Sequence, residues 1–312
     1  MVANRNLISR RQFVLSTLKG GLIGRVVLSS GLTSIALSSL DIANAYAGLA
    51  PSNPRQSKSQ RIPPVADADR HVKDAVGKAK DFEHDYSDDI FLRKQQKIVL
   101  RSILNRLTRL QAVVGYANFN LIGFDSALLY ARRYSAVGRF TRQEVRLIEA
   151  LFVFDASHYG FLGKKVSENL TDRITLREVK KIPGSGHYLY KGDALALYKK
   201  LKARLGDSLI LTSGIRSVVK QLHLFIAKAD RSGGNLSRAA RSLAPPGHSF
   251  HGVGDFDVGQ KGLGAANFTS AFMKTTIHQR LTDLGLIDER YPESNPYGVR
   301  HEPWHIKVVK HV

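Results

Sequence analysis

Pro246-Gly247-His248-Ser249-Phe250-His251-Gly252-Val253-Gly254-Asp255-Phe256-Asp257 is the stretch on which the reading of the fold turns. Its proline and glycines read as a loop and its end, with Val258, as the start of a strand, so histidines and aspartates are delivered at a loop-to-strand junction. Two further segments have the same character. Ser213-Gly214-Ile215-Arg216-Ser217 leaves a short apolar strand at 208–212, and Glu302-Pro303-Trp304-His305 opens an alternating strand at 305–309. Between and around them the spacing predicts a loop at 182–187, a helix at 193–205 stopped by Gly206, a helix at 217–229, a Gly- and Pro-rich loop at 233–247 and a helix at 267–284. Strands and helices mix without a regular βαβ repeat. The expected architecture is α+β, with an antiparallel sheet carrying the site.

Upstream the texture is helical. Ile98, Leu100, Ile103, Leu104, Leu107, Leu110, Val113 and Val114 recur at three and four, which predicts a long amphipathic helix. Thr141-Arg142-Gln143-Glu144 has the capping-box pattern and predicts a second helix ending near Gly160. The expected organisation is an export signal at 1–47, a linker at 48–66, an all-helical domain at 67–175 and the α+β domain at 176–312.

The signal is read from Ser9-Arg10-Arg11-Gln12-Phe13-Val14-Leu15, followed by a moderately apolar stretch and the small-residue run Ala43-Asn44-Ala45-Tyr46-Ala47. This resembles a twin-arginine export signal and places the mature protein in the periplasm or cell envelope, without a membrane-spanning segment. The chain has no cysteine, which removes disulfides, thiolate metal sites and a cysteine nucleophile, so any metal must sit on His, Asp or Glu. A formal charge of +21 attracts polyanions. No recognisable nucleic-acid module with aromatic interleaving accompanies it, so the expected polyanion is anionic cell-wall polymer rather than nucleic acid.

A hydrolytic zinc site uses three protein ligands and an open fourth position, and two histidines with one carboxylate meet that need without cysteine. A further carboxylate outside the ligand set moves the proton, and Glu302, three residues before His305, is so placed. An arginine near the scissile carbonyl would stabilise developing negative charge.

The segments S-G-I-R-S, P-G-x-S-x-H-x-x-G followed by Asp, and E-P-W-H, in that order, resemble the zinc D-alanyl-D-alanine carboxypeptidases of the VanY type. That family is related in fold to the D-Ala-D-Ala dipeptidases and the hedgehog domain, and the resemblance covers about residues 180–312. It implies Zn2+ held by His251, Asp257 and His305, with Glu302 as general base and Arg216 as electrostatic stabiliser of the carbonyl oxygen. It implies substrate contact at Ser249 and a pocket wall at Trp304. The family usually places its aspartate seven residues after the first histidine, with an alanine two before it, whereas here aspartates follow at four and six. A one-residue deletion absorbed at Gly254 makes Asp257 the ligand and leaves Asp255 in the alanine place. Because residues two apart on a strand share a face, both carboxylates are expected to point toward the metal, with Asp255 orienting a histidine.

Gln221 is grouped with the substrate-binding residues, its other role being a hydrogen bond that braces a loop. His187, His223, His248 and His301 read as ordinary structural histidines, His187 also as a possible substrate contact. The expected activity is removal of D-alanine from peptidoglycan stem peptides. An endopeptidase with the same site and a non-catalytic zinc-containing wall-binding module are the alternatives.

Overall fold

The computed structural model describes residues 65–286 and 288–309. The expected export signal and nearly all of the linker lie outside the described residues.

The helical part begins with α1 (Val65–Lys80) and α2 (Lys94–Val114), the latter burying Leu100, Ile103, Leu107 and Leu110 and ending at Gly115, whose φ of 88° suits a residue without Cβ. After a helical turn at Tyr116–Phe119 come α3 (Phe124–Arg133) and α4 (Arg142–Val153). The capping box at α4 is formed: Glu144 N donates to Thr141 Oγ1 at 3.2 Å and Thr141 N donates to Glu144 Oε2 at 2.7 Å. Glu144 also accepts from Ser102 and Arg106 of α2, so one carboxylate caps one helix and ties it to another. The helix stops at Val153 and not near Gly160. Asp155 takes the backbone N–H of Ser157 on its side chain and starts a short 3-10 turn at Ala156–Tyr159.

The next strands, β1 (Val179–Ile182) and β2 (His187–Tyr190), form an antiparallel hairpin whose turn is the Gly-rich loop 182–187. Then follow α5 (Asp193–Leu205), β3 (Leu209–Ser213), α6 (Val218–Arg231), α7 (Leu236–Ser242), β4 (Phe256–Gln260), α8 (Thr276–Asp283) and β5 (His305–Ile306). Helix α7 lies inside a stretch read as loop; Asn235 initiates it by accepting from Arg238 N at 2.8 Å. The expected helix 267–284 is broken instead, because Thr269 and Thr275 each cap a new start, at Ala271 N and His278 N, and only α8 is α-helical. Strands β3, β4 and β5 make a three-stranded antiparallel sheet with β4 in the centre.

A single apolar core joins α2, α4, α6 and α7 through residues such as Leu107, Ile148, Leu222, Phe225 and Leu236, and takes in Phe250 and Tyr291 from the segments around the site. A second core lies under the sheet, with Leu201, Leu209, Phe256, Val258 and Ile306. Burying each large side chain contributes roughly 1.5–3 kcal/mol. Helix α6, which follows Arg216 directly, is thus packed against the helical part of the chain, and the platform under the site is built from both halves of the sequence. A buried ion pair adds to that union: Arg241 of α7 donates to Asp89 Oδ1 at 2.7 Å and Oδ2 at 2.9 Å.

Candidate metal centre and its cleft

Sheet register brings the predicted donors together. Asp257, on the central strand, is paired with Ser213 of β3 on one side and His305 of β5 on the other. His251 comes from the 3-10 turn Phe250–Gly252 just before β4. Gly254, between that turn and the strand, has φ 136°, a conformation side chains seldom adopt.

The donor atoms of His251, Asp257 and His305 lie within 4.8 Å of one another, and all three residues are buried. His251 Nδ1 faces the carbonyl oxygen of Gly214 at 2.7 Å, so the proton sits on Nδ1 and the Nε2 lone pair is free. That Nε2 lies 3.2 Å from Asp257 Oδ1, and both atoms are buried without a hydrogen-bond partner. Two orphaned acceptor-type atoms facing each other, with a second histidine beside them, suit a divalent cation of the zinc type. Gly214 itself packs closely on β2: a Cβ there would meet Tyr188 O at 2.1 Å.

Around this set the remaining groups are engaged. Arg216 donates from Nη2 to Asp257 Oδ2 at 2.6 Å and from Nε to Ser213 Oγ at 2.9 Å. Burial alone would raise the Asp257 carboxyl, but the interactions with His251 and the Arg216 guanidinium outweigh it and hold the group far below the carboxylate range. His305 presents Nδ1 to Glu302 Oε2 at 3.2 Å and to Asp257 Oδ1 at 3.5 Å, and Nε2 to Asp255 Oδ2 at 3.2 Å. Burial opposes its charging, yet hydrogen bonds to Asp255 and Glu302 push it up to about 9.

Asp255 therefore does not face the donor cluster beside Asp257. It sits behind the His305 ring, just ahead of β4, and accepts in addition from Arg290 Nε at 2.7 Å and from Val308 N at 2.9 Å. Despite its burial, its bonds to His305 and Arg290 pull its carboxyl down to about 2. The two carboxylates share a strand end, but the imidazole inserted between Asp255 and the cluster separates them.

A cleft of about 450 Å³ opens over the cluster, lined in part by Arg216, Ser249, Glu302 and Trp304. Trp304 is 3% exposed, with the Arg300 guanidinium 4.9 Å from its ring centre. Gln221 is buried with both ends of its amide on backbone: Nε2 donates to Arg216 O at 2.9 Å and Oε1 accepts from Gly247 N at 2.8 Å. It braces the two site loops against each other. His248 is buried, on Gly163 O, and His223 is half-buried, beside Phe119 and Thr108. His301 pairs with Glu289 at 3.0 Å.

Several cleft residues carry no motif. Tyr291 stacks edge-on against His305 with ring centres 5.0 Å apart, and its hydroxyl is buried without a partner. Lys220, Tyr116 and His187 also line the cleft. The signal of Lys220 and Tyr116 in sequence was weak because an isolated Tyr or Lys on a helix is ordinarily surface.

Residues 191–311 match the family model described as VanY, D-alanyl-D-alanine carboxypeptidase. The match takes in the C-terminal part of the chain and does not reach the helical region before it. It contains every one of the motif residues named above. No curated protein matches the chain. Among solved structures, it resembles a mutant of the vancomycin resistance D,D-pentapeptidase VanY from a VanB-type cassette in complex with Zn(II), at 23% identity over 43% of this chain and 79% of that one, TM-score 0.35. VanYB in complex with D-alanine-D-alanine is similar at 21% identity over 48% of this chain and 85% of that one, TM-score 0.37. The LD-carboxypeptidase LdcB is similar at 26% identity over 42% of this chain and 62% of that one, TM-score 0.35.

Proposed function

We propose that the protein is a zinc metallopeptidase that removes the terminal D-alanine from peptidoglycan stem peptides. The observation that carries this reading is the buried His251, Asp257 and His305 donor set with the Glu302 carboxylate at its edge. The VanY match over the same residues supports it.

Zinc held by His251, Asp257 and His305 supplies Lewis acidity, which polarises a carbonyl and makes water acidic near neutral pH. Glu302 accepts the proton of the attacking water and passes it to the leaving amine. Arg216, fixed by Asp257 and Ser213 through Nη2 and Nε, keeps Nη1 for the carbonyl oxygen as negative charge develops there. Ser249 and Trp304 form part of the wall against which the peptide lies. Asp255, braced by Arg290 and Val308 N, holds the His305 ring in one orientation. Replacing Asp255 by Asn is therefore expected to weaken zinc affinity about 10- to 100-fold, measured by competition with a chromophoric chelator, and unchanged affinity would remove the orienting role.

The signal-like residues 9–47 support export to the cell envelope, where a chain of net charge +21 meets anionic wall polymer. No described helix is long and apolar enough to cross a membrane. The activity is tested by mass spectrometry of muropeptides incubated with the zinc-loaded protein. Loss of a single alanine is the expected result. Release of a longer fragment would make it an endopeptidase, and intact muropeptides would leave a wall-binding module.

A further inference from the structure

One end of the cleft is walled by Tyr116 and His187, two residues outside the family match, together with Lys220 of α6. Lys220 is 6% exposed. Its Nζ donates to Gln111 Oε1, in the last turn of α2, at 3.1 Å, and stands 5.0 Å from the centre of the Tyr116 ring and 5.8 Å from that of Phe119. A neutral amide and two aromatic faces offset only part of the cost of burying an ammonium group. Among the described residues no carboxylate lies within ion-pair reach of it.

The other cations of the cleft differ. Arg216 is paired with Asp257, Lys228 with Glu83, and Arg300 stands 3.8 Å from Glu302, while Arg231 is exposed. Lys220 is thus a buried cation with N–H groups to spare, and burial, with the nearby Arg216 charge, lowers it only to about 8. At neutral pH it is still mostly protonated. Beside it, His187 packs edge-on against Tyr116 with ring centres 5.6 Å apart, and its Nδ1 is buried without a hydrogen-bond partner. Burial and the Arg216 charge push His187 down to about 4, so it is neutral and can donate one N–H.

An unbalanced ammonium and an unsatisfied imidazole, side by side in the cleft that holds the metal donors, call for an anion with two acceptor oxygens. We infer that Lys220, held by Gln111 and Tyr116 with His187 alongside, binds the terminal carboxylate of the peptide. This rests on the peptidase reading above, since a substrate losing its last residue presents a carboxylate one residue from the bond that breaks. It also gives the helical region a role: Gln111 and Tyr116 set the position of the recognising charge.

The test is calorimetric titration of the full chain carrying Glu302→Gln with N-acetyl-D-alanyl-D-alanine and with its C-terminal amide, repeated after adding Lys220→Met, which keeps the apolar stem. The free acid is expected to bind more tightly than the amide, and Lys220→Met to weaken the acid about 10- to 100-fold while leaving the amide unchanged. Equal binding of acid and amide by the Lys220 form overturns the proposal whether or not the Met variant folds, and so does an equal loss for both ligands in Lys220→Met. Wild-type turnover of muropeptides is read separately. Cleavage without acid selectivity sinks only this inference, and acid-selective, Lys220-dependent binding without cleavage sinks only the peptidase reading.

Discussion

Glu302→Gln is expected to lower peptide hydrolysis by about 10²- to 10⁴-fold while the protein still takes up one zinc per chain. Glu302 is not one of the three clustered donors, yet its Oε2 lies 3.2 Å from His305 Nδ1 and the residue lines the cleft. The amide is nearly isosteric and keeps an oxygen for His305, so packing and the histidine's orientation survive. What is lost is the capacity to accept a proton from water and return it to the leaving amine. Turnover of a D-alanyl-D-alanine peptide by chromatography, with zinc stoichiometry by atomic emission, separates these effects. Activity within a few-fold of wild type would remove Glu302 as the base, and activity lost together with zinc would make it a structural residue.

Asp89→Ala is expected to produce the largest loss of stability, about 3–5 kcal/mol, because it strands Arg241 in the interior. Both side chains are nearly inaccessible, 2% and 3% exposed, and Asp89 also accepts from Asn235 Nδ2 at 2.6 Å and Tyr86 N at 3.0 Å. At the roughly 2–4 °C per kcal/mol usual for a chain of this size, the midpoint of thermal unfolding should fall by about 6–20 °C. The pH dependence has a definite sign. Burial raises the Asp89 carboxyl, but Arg241, Asn235 and the Tyr86 N–H outweigh it and hold the group below its ordinary 3.8. Its contribution is therefore complete above that value and lost as pH falls through the lower folded one. Wild-type stability should drop on acidification through this range, and Asp89→Ala should show a shallower drop. A midpoint unchanged by the substitution would mean that the pair contributes nothing net.

Much of the site was legible because its chemistry is compressed into short segments. His251, Glu302 and His305 sit in motifs whose residue types match what zinc hydrolysis needs, and helices α2, α5 and α6 announced themselves by apolar spacing and stop signals. Local capping chemistry hid other elements. Thr269, Thr275 and Asn235 each start a helix by accepting a backbone N–H, which breaks one predicted helix and creates α7 in a stretch that composition marked as loop. The packing of residues from Leu107 to Phe250 in one apolar core was not legible either, because it joins segments far apart in the chain.

Sequence alone determined which residue types are available: no thiolate, two histidines and two closely spaced aspartates at a strand entry, and an acid three residues before His305. Tertiary structure decided which of them meet. The register that sets Asp257 between Ser213 and His305, and the His305 ring inserted ahead of Asp255, assign the two aspartates different neighbours, a distinction that two residues of the same type two positions apart do not carry in sequence. Lys220, His187 and Tyr116 likewise form one wall only after three distant segments pack together, because a buried charge without a counterion is a property of its surroundings and not of its place in the chain.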